Sequence, residues 1–196
     1  LRTMANDIVA NVQRATGIIR HVRDFARQSE VVKSKININD PITDVFKVLG
    51  HQLKAHQIDL DLDLAGDIPF ILADHNRLEQ VFINLLINAR DAIEEKWGDR
   101  ENGRIDKRIV LKTKFDRPFV VCAVCDTGKG VDRGIADKIF DPFFTTKEVG
   151  KGTGLGLSIS YGIIKDCGGS IRVADHKPGG ACFILKFAVP EKSHGK

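Results

Sequence analysis

The stretch GKGTGLGLSI, residues 150–159, constrains the fold of this chain more than any other part of its sequence. Glycines stand at every second position and lead directly into an apolar run that is typical of a helix. Glycine allows positive φ and close backbone approach, and the first turn of a helix offers free N–H groups at the positive end of its dipole. The stretch is therefore a candidate phosphate-binding loop. A glycine-rich loop is a weak motif alone, and a helix entry without any ligand fits it about equally well.

Composition indicates an ordinary globular protein of 196 residues, with 42% hydrophobic and 29% charged residues. The formal charge of +4 is small, and Lys and Arg are interspersed with acids, which argues against a nucleic-acid partner. No apolar run is long enough to span a bilayer. We therefore expect a cytoplasmic domain, or the cytoplasmic portion of a membrane sensor whose membrane segments lie outside this sequence.

Residues 1–32 are predicted to form one long helix that precedes the globular domain of residues 33–190, and residues 191–196 to form a disordered tail. A single amphipathic helix must bury its apolar stripe against a partner. A dimerisation helix in a four-helix bundle is favoured over packing on its own domain. His21 lies beside the stripe and is predicted to be solvated or packed, not catalytic. The stripe comprises Met4, Ile8, Val12, Ala15, Ile19, Val22 and Phe25.

Residues 33–190 alternate between helical and strand patterns, and several strands form hairpins. Asp40 is predicted to cap one helix and Asp74 the next. Hairpins indicate a mixed sheet with helices on one face, a two-layer α/β sandwich of the α+β class, and not a doubly wound parallel sheet. The predicted strands are 33–39, 58–64, 109–115, 119–126, 170–174 and 181–189, and the predicted helices begin near 40, 75, 135 and 153.

Four cysteines occur, at positions 122, 125, 167 and 182. Cys122 and Cys125 form a CxxC inside an apolar strand, where positions three apart face opposite sides of the sheet. That makes the pair a poor metal clip, and buried reduced thiols are the expected state.

Three further elements point to one pocket. Asp126 ends a strand and is followed by two glycines, and its carboxylate could accept a hydrogen bond from the exocyclic amine of adenine. Asn84 and Asn88 lie one turn apart on a helix, and their oxygens suit Mg²⁺. Lys147 and Lys151 in the following loop could meet phosphate charge. Taken singly, an ordinary turn, a surface amide and a solvated lysine are the simpler interpretations.

These motifs together resemble the ATP-binding domain of sensor histidine kinases, in the superfamily shared with gyrase, Hsp90-type chaperones and MutL-type repair proteins. Residues 84–92 (NLLINARDA) resemble the N box, residues 126–130 (DTGKG) the G1 box and residues 140–147 (FDPFFTTK) the F box. Residues 152–157 (GTGLGL) resemble the G2 box, and residues 177–180 (KPGG) the last glycine box.

The resemblance implies a Bergerat-type sandwich that binds ATP and Mg²⁺, with Asn88 holding the metal and Asp126 reading adenine. Residues 150–156 with the preceding loop would form the ATP lid. It also implies catalytic roles for Asn84 and Lys147. The implied ATP-binding residues are Asn84, Asn88, Asp91, Asp126, Gly128, Gly130, Phe140, Thr146, Lys147, Lys151, Gly152, Thr153, Gly154, Leu155 and Gly156.

One position separates the branches of this superfamily. Members that hydrolyse ATP carry a Glu base one turn before the metal-binding Asn, and this chain has Asn84 there. An amide cannot act as a base, which favours phosphoryl transfer to a protein histidine and relay to a response regulator receiver domain. Residues 1–32 resemble the second helix of the family's dimerisation and phosphotransfer hairpin. The family's acceptor histidine motif is absent, so we expect the acceptor upstream of Leu1, in a protein that dimerises through residues 1–32.

Two other interpretations stay open at this stage. The first is an ATP-hydrolysing conformational switch of the chaperone or mismatch-repair type. The second is a nucleotide-binding scaffold without catalysis. Steady hydrolysis of ATP supports the first, and nucleotide binding that ignores Mg²⁺ supports the second.

Overall fold

The computed structural model describes residues 32–98, 106–148, 152–176 and 179–190. The predictions for the N-terminal helix, His21 and the tail lie outside these residues. Within them, no helix is long and apolar enough to cross a membrane. The strands are β1 (Ser34–Ile36), β2 (Asp59–Leu64), β3 (Ile71–Ala73), β4 (Arg108–Asp116), β5 (Phe119–Asp126), β6 (Ser170–Asp175) and β7 (Ala181–Ala188), and the helices are α1 (Asn39–Ala55), α2 (His75–Trp97) and α3 (Gly156–Asp166), with a 3₁₀ helix at Lys138–Phe140.

The main sheet has five strands in the order β2-β4-β5-β7-β6. Strand β2 runs parallel to β4, and the other neighbours are antiparallel. Strands β1 and β3 form a separate antiparallel pair. The predicted mixed sheet is confirmed, and so are the hairpins predicted between strands 109–115 and 119–126 and between strands 170–174 and 181–189.

The three helices cover one face of the sheet. Along β5, Val120, Cys122 and Val124 belong to the core, and along β7 Phe183 and Leu185 do so. Alternate residues of a strand point to opposite faces, so the residues between these belong to the other face. The apolar stripe of α2 is buried against the core side, through Leu78, Val81, Phe82, Leu85, Leu86, Ala89 and Ile93. This arrangement is the predicted two-layer sandwich.

The start of α1 differs from the prediction. The helix begins at Asn39, and its N-cap residue Ile38 makes no side-chain capping bond. Asp40 lies inside the first turn, where its charge still favours the helix dipole. The Asn37 side chain, outside the helix, accepts a hydrogen bond from the Asn39 N–H. It thereby satisfies one of the backbone N–H groups that are free at the start of a helix. By contrast, Asp74 caps α2 as predicted, since its Oδ1 accepts from the Arg77 N–H at 3.1 Å.

Three other elements differ from their predicted form. Strand β1 is shorter than predicted, the helix predicted at 135–140 is a three-residue 3₁₀ turn, and β3 was missed. Strand β3 has only three residues, too few for the period of two to stand out.

The expectation of reduced cysteines is wrong for two of the four. Cys125 and Cys182 are direct partners across β5 and β7 and form a disulfide, whereas Cys122 and Cys167 are free. The sequence pattern relates Cys125 only to its chain neighbour Cys122, and the strand pairing that brings Cys182 beside it is long-range.

Candidate functional site

Asp126 occupies the last position of β5 and is only 3% exposed. Its Oδ1 accepts hydrogen bonds from the backbone N–H of Gly128 at 2.8 Å and of Ala181 at 3.3 Å. Burial raises the pKa of Asp126, and the two backbone hydrogen bonds oppose that rise. Among the described residues, no group hydrogen-bonds Oδ2. The carboxylate is therefore fixed through one oxygen, and the other can accept from a ligand.

The glycines after Asp126 allow the backbone to pack closely around it. A Cβ on Gly128 would lie 2.7 Å from the carbonyl carbon of Ala92 on α2. Gly180, at φ +114°, passes so close that a Cβ there would lie 1.9 Å from the Asp126 carbonyl oxygen. Gly130 has φ +79° and contacts Gly180. Glycine is required at these positions because β5, α2 and the start of β7 converge on one carboxylate.

A second polar cluster lies on α2, near its middle. Lys147 donates to Oδ2 of Asp91 at 2.5 Å and to Oδ1 of Asn88 at 3.4 Å. Arg90 donates to the other oxygen of Asp91 through Nε at 3.0 Å and Nη2 at 2.7 Å. The side chains of Asp91 and Lys147 are 25% and 29% exposed, so the ion pair is half-buried.

Asp91 is held ionised by these two cations. Burial alone would raise its pKa, but hydrogen bonds and charge from Lys147 and Arg90 outweigh burial, so the pKa of Asp91 lies below its usual range. Asn88 and Asp91 are three residues apart, which places them on one helix face. They present amide and carboxylate oxygens to one cation.

Asn84 has a different set of contacts from Asn88, although it lies only one turn earlier. Its Nδ2 donates to the carbonyl oxygen of Gly156 at 3.1 Å and to Oγ of Ser160 at 3.3 Å. Ser160 also donates to the Gly156 carbonyl oxygen. Asn84 therefore ties α2 to the first turn of α3.

The two ends of the predicted lid contact each other. The Phe143 N–H donates to the Gly154 carbonyl oxygen at 3.0 Å. Gly154 has φ +68°, and a Cβ there would lie 2.4 Å from the Phe143 carbonyl carbon. A Cβ on Gly152 would lie 2.7 Å from Oγ1 of Thr145. These two glycines permit close contact between the F-box and G2-box segments, which their regular spacing in the sequence did not reveal.

Phe140 packs at the end of the 3₁₀ helix. Its ring centroid lies 5.6 Å from that of Tyr161 on α3 and 6.5 Å from that of Phe183 on β7, edge to face. Such ring pairs stabilise by about 0.5–1.5 kcal/mol each. The aromatic contacts fix the start of the lid segment to the body of the domain.

Of the other predicted ATP-binding residues, Thr153, Leu155 and Gly156 lie at the start of α3. Thr153 Oγ1 accepts from the Leu155 N–H at 3.4 Å, and Leu155 is buried. Gly156 has ordinary room for a Cβ, the nearest atoms being those of Asn84 at 3.6 Å and beyond. Thr146 is exposed. Lys151 lies outside the described residues.

Sequence reasoning missed a clamp at the C-terminal end of α2. Lys96 Nζ donates to the carbonyl oxygens of Thr127 at 2.8 Å and Gly128 at 3.0 Å, and Trp97 Nε1 donates to the Thr127 carbonyl at 3.1 Å. The Thr127 hydroxyl accepts from the Arg108 N–H at 2.9 Å. The clamp fixes the backbone that follows Asp126. Thr127 stands inside the DTG motif and could have been singled out, whereas nothing local marks Lys96.

The arrangement has the chemistry of a nucleotide site with a metal. A buried carboxylate beside glycines can accept from a base amine, and the hard oxygens of Asn88 and Asp91 suit Mg²⁺. The Asp126 carboxylate lies at the end of β5, and the Asn88 and Asp91 oxygens lie on α2. All of them are on the side of the sheet that the helices cover. The residues present therefore fit ATP and Mg²⁺.

Comparison with known proteins assigns the family. A mixed sheet with helices on one face, a buried acid at a strand end and a glycine-rich lid define a nucleotide-binding ATPase-type domain. Residues 73–191 match the family described as histidine kinase-, DNA gyrase B-, and HSP90-like ATPase. The chain belongs to this family, as the ATP-binding domain of a sensor histidine kinase.

Individual proteins support the assignment. The chain is 39% identical over 190 residues to the sensor kinase CckA of Brucella abortus (strain 2308), a match that covers 91% of this chain and 19% of that protein. It is 26% identical to full-length ShkA solved in complex with AMPPNP, with a TM-score of 0.71, covering 90% of this chain and 36% of that one. It is 25% identical to the histidine kinase ThkA solved with the response regulator TrrA, with a TM-score of 0.73, covering 94% and 50%.

Proposed function

We propose that this chain binds ATP with Mg²⁺ and supplies the γ-phosphate to a histidine of a sensor kinase, for relay to a response regulator. The chain spans about a fifth of the length of the first matched relative, so the transfer concerns a longer protein. One observation carries the proposal. The Lys147 ammonium already lies on the oxygens of Asn88 and Asp91, so this helix face binds a cation where the metal is expected.

Asp126 is proposed to select the base. Its free oxygen would accept from the exocyclic amine of adenine, while guanine presents a carbonyl at that position. A hydrogen bond to a charged group contributes about 1.5–3 kcal/mol. Asp126 is held in place by the N–H groups of Gly128 and Ala181, so little ordering is needed on binding.

Asn88 is proposed to hold Mg²⁺, with Asp91 beside it. The metal would neutralise phosphate charge, the main requirement in phosphoryl transfer, where the protein chiefly positions and screens. Lys147 would then leave Asp91 and contact phosphate, because its ammonium group and Mg²⁺ compete for the same oxygens of Asn88 and Asp91. In the structure, Lys147 neutralises the Asp91 carboxylate on this face.

Asn84 is proposed to act through position. It cannot take a proton from water, and its amide donates to Gly156 and Ser160 at the start of α3. It would thus hold the glycine-rich end of the lid beside the metal position. This favours phosphoryl transfer to a histidine over hydrolysis of ATP, because the side chain at position 84 cannot accept a proton from water.

The remaining partners follow from the kinase assignment. ThkA was solved with a response regulator protein, and a receiver domain is the proposed phosphate acceptor downstream of the histidine. Residues 1–32 are proposed to form a homodimer, and the domain is proposed to work in the cytoplasm.

The experiment is a nucleotide titration followed by a phosphate assay. We expect the chain to bind ATP more tightly with Mg²⁺ than with a chelator, and ATP more tightly than GTP. We expect no steady release of phosphate from ATP. In the longer protein, acid-labile, base-stable phosphate should appear on histidine. Steady hydrolysis by the chain would favour the switch-type ATPase, and equal binding of ATP and GTP would contradict the proposed base recognition.

The Lys147–Asp91 ion pair gives a pH-dependent prediction. Lys147→Met should lower the free energy of unfolding by about 1 kcal/mol at pH 7, a value discounted for partial exposure. Because the folded pKa of Asp91 is lowered, the stabilisation is present above the pKa of the unfolded chain and is lost as pH falls through the folded pKa. Urea denaturation of both proteins from pH 7 to pH 3 should show the difference shrinking.

Lys112→Met is the matched control for this variant. Lys112 pairs with Asp63 at 3.0 Å, but the two side chains are 57% and 70% exposed. Solvent-exposed pairs contribute about 0–1 kcal/mol, so this variant should change stability less. An equal loss in both variants would show that the Lys147 pair has no special role in the folded domain.

A further inference from the structure

The disulfide lies directly beside the residues that hold Asp126. Cys125 precedes Asp126 in β5, and Cys182 follows Ala181 in β7. Cys125 and Cys182 are cross-strand partners. The Ala181 N–H donates to the Asp126 carboxylate. The bridge therefore joins the two strands at the point where both contribute to the proposed base-recognition site.

The disulfide and the nucleotide site lie on opposite faces of the sheet. Cys122 and Val124 point to the core, so Cys125 points away from it, and Cys182 likewise alternates with the core residue Phe183. Among the described residues, the three helices cover only the core face. On the face opposite the core, Lys112, Ala123, Ile184 and Arg172 are partners across β4, β5, β7 and β6. Lys112 and Arg172, at the two ends of this row, are exposed.

This placement makes the bridge reachable without passing through the nucleotide pocket. Cys125 is 7% and Cys182 9% exposed, and both belong to the sheet face that the described helices leave open. Reagents can attack the bridge from that face after small local opening. Nucleotide on the core face would not block them.

The two free cysteines do not share these features. Cys122 faces the core, and burial raises the pKa of its thiol to about 12. Cys167 is the C-cap residue of α3, and burial raises the pKa of its thiol as well. Both are free and neither is bonded to a second cysteine in the structure, so neither belongs to a bridge that could open and close.

We propose that Cys125 and Cys182 form a reversible thiol–disulfide switch that sets nucleotide affinity. The proposal rests on the proposed role of Asp126 in binding the base. The bridge links β5 and β7 covalently next to the contact between Ala181 and Asp126. Reduction removes this link, which loosens that contact.

The oxidised chain is the form with the higher affinity for ATP. With the bridge intact, Asp126 is held by both backbone donors before nucleotide arrives. After reduction, binding must also order this carboxylate, and ordering one side chain weakens affinity roughly two- to tenfold. Disulfides in reducing compartments are mostly of this transient, sensing kind.

The chemistry is exchange with a small-molecule disulfide such as oxidised glutathione. One cysteine thiolate attacks a sulfur of that disulfide, and one small thiolate leaves, giving a mixed disulfide. The second cysteine thiolate then attacks the protein-bound sulfur, closes the Cys125–Cys182 bond and releases the second small thiolate. The two cysteines lose two protons and two electrons, and the small disulfide becomes two thiols. A dithiol reverses the sequence.

The test measures ATP affinity with Mg²⁺ for the chain equilibrated with a dithiol and with oxidised glutathione. Alkylation and mass spectrometry report the thiol count in each state. We expect two more free thiols and roughly two- to tenfold weaker ATP binding in the reduced state. The double variant Cys125→Ala/Cys182→Ala should bind ATP like the reduced wild type and ignore the redox condition. Cys122→Ala should keep the full redox response.

The outcomes separate the switch from the proposed function. Equal ATP affinity in two states that differ by two thiols would overturn the switch and leave ATP binding intact. A thiol count that does not change with oxidant would also overturn it. Absence of ATP binding in both states would instead overturn the proposed function. If ATP affinity of the double variant changed with the redox condition as it does in the wild type, the effect would belong to another cysteine, and the switch at Cys125 and Cys182 would be overturned.

Discussion

Asp126→Asn should weaken ATP binding by about 10- to 100-fold, the effect of losing a hydrogen bond to a charged group. The asparagine oxygen can still accept from Gly128 and Ala181. Its amide nitrogen would replace the free carboxylate oxygen and would meet the adenine amine donor to donor. The amide could donate to the carbonyl of guanine, so the preference for ATP over GTP should disappear or reverse. Competition titrations with ATP and GTP measure both effects.

The same variant should not damage the fold. The raised pKa of Asp126 means that its ionised form costs stability in the folded chain. At pH 7 the asparagine variant should therefore be as stable as the wild type or more stable. The difference should vanish below the ordinary aspartate pKa of 3.8, where the carboxyl is neutral in both folded and unfolded chains. Thermal denaturation across this pH range measures it.

Asp63→Asn serves as the charge-matched control. Asp63 lies on β2, exposed and paired with Lys112, and its loss changes net charge without touching the site. ATP affinity should stay within about twofold of wild type, because screened surface charges act weakly. Unchanged ATP affinity in Asp126→Asn would refute the assignment of base recognition to this residue.

Asn88→Ala should remove most of the contribution of Mg²⁺ to ATP binding. Loss of groups that merely orient metal ligands costs about 10- to 100-fold in metal affinity, so loss of a ligand should cost at least that. ATP affinity with Mg²⁺ should fall towards the value measured with chelator. The Lys147–Asp91 pair does not need Asn88 and should persist, keeping the domain folded.

Asn84→Ala is the control one turn earlier on the same helix. It removes the donors to Gly156 and Ser160, which should cost about 1 kcal/mol of stability. Any loss of ATP affinity should be similar with Mg²⁺ and with chelator, since Asn84 acts on the position of α3. A selective loss of the Mg²⁺ effect in Asn84→Ala, and not in Asn88→Ala, would exchange the two proposed roles.

The regular elements were predictable because their signals are local. The apolar stripe of α2 recurs every three or four residues, and its Asp74 cap directly precedes it. The bounds of α2 therefore differ little from the prediction. The strand ending in Asp126 was equally clear from its apolar run. The failures were short or weakly patterned, namely β3, the start of α1 and the 3₁₀ turn before Asp141.

The candidate site was predictable as a set of residues but not as a set of contacts. Helical spacing places Asn84 and Asn88 on one face, yet Asn84 binds the start of α3 while Asn88 accepts from Lys147. The ion pair between Lys147 and Asp91 spans 56 residues. No local periodicity reports a contact of that separation, because loop conformation and packing decide it.

The sequence by itself determined the longer elements, the order of the motifs and the fold class, since these follow from residue spacing and backbone preferences over short stretches. The tertiary structure alone decided three features. Gly154 packs on Phe143, Cys125 is joined to Cys182, and Lys96 clamps the backbone after Asp126. Each depends on strand order or helix packing between distant segments, where contact is set by the whole chain and not by its neighbours in sequence.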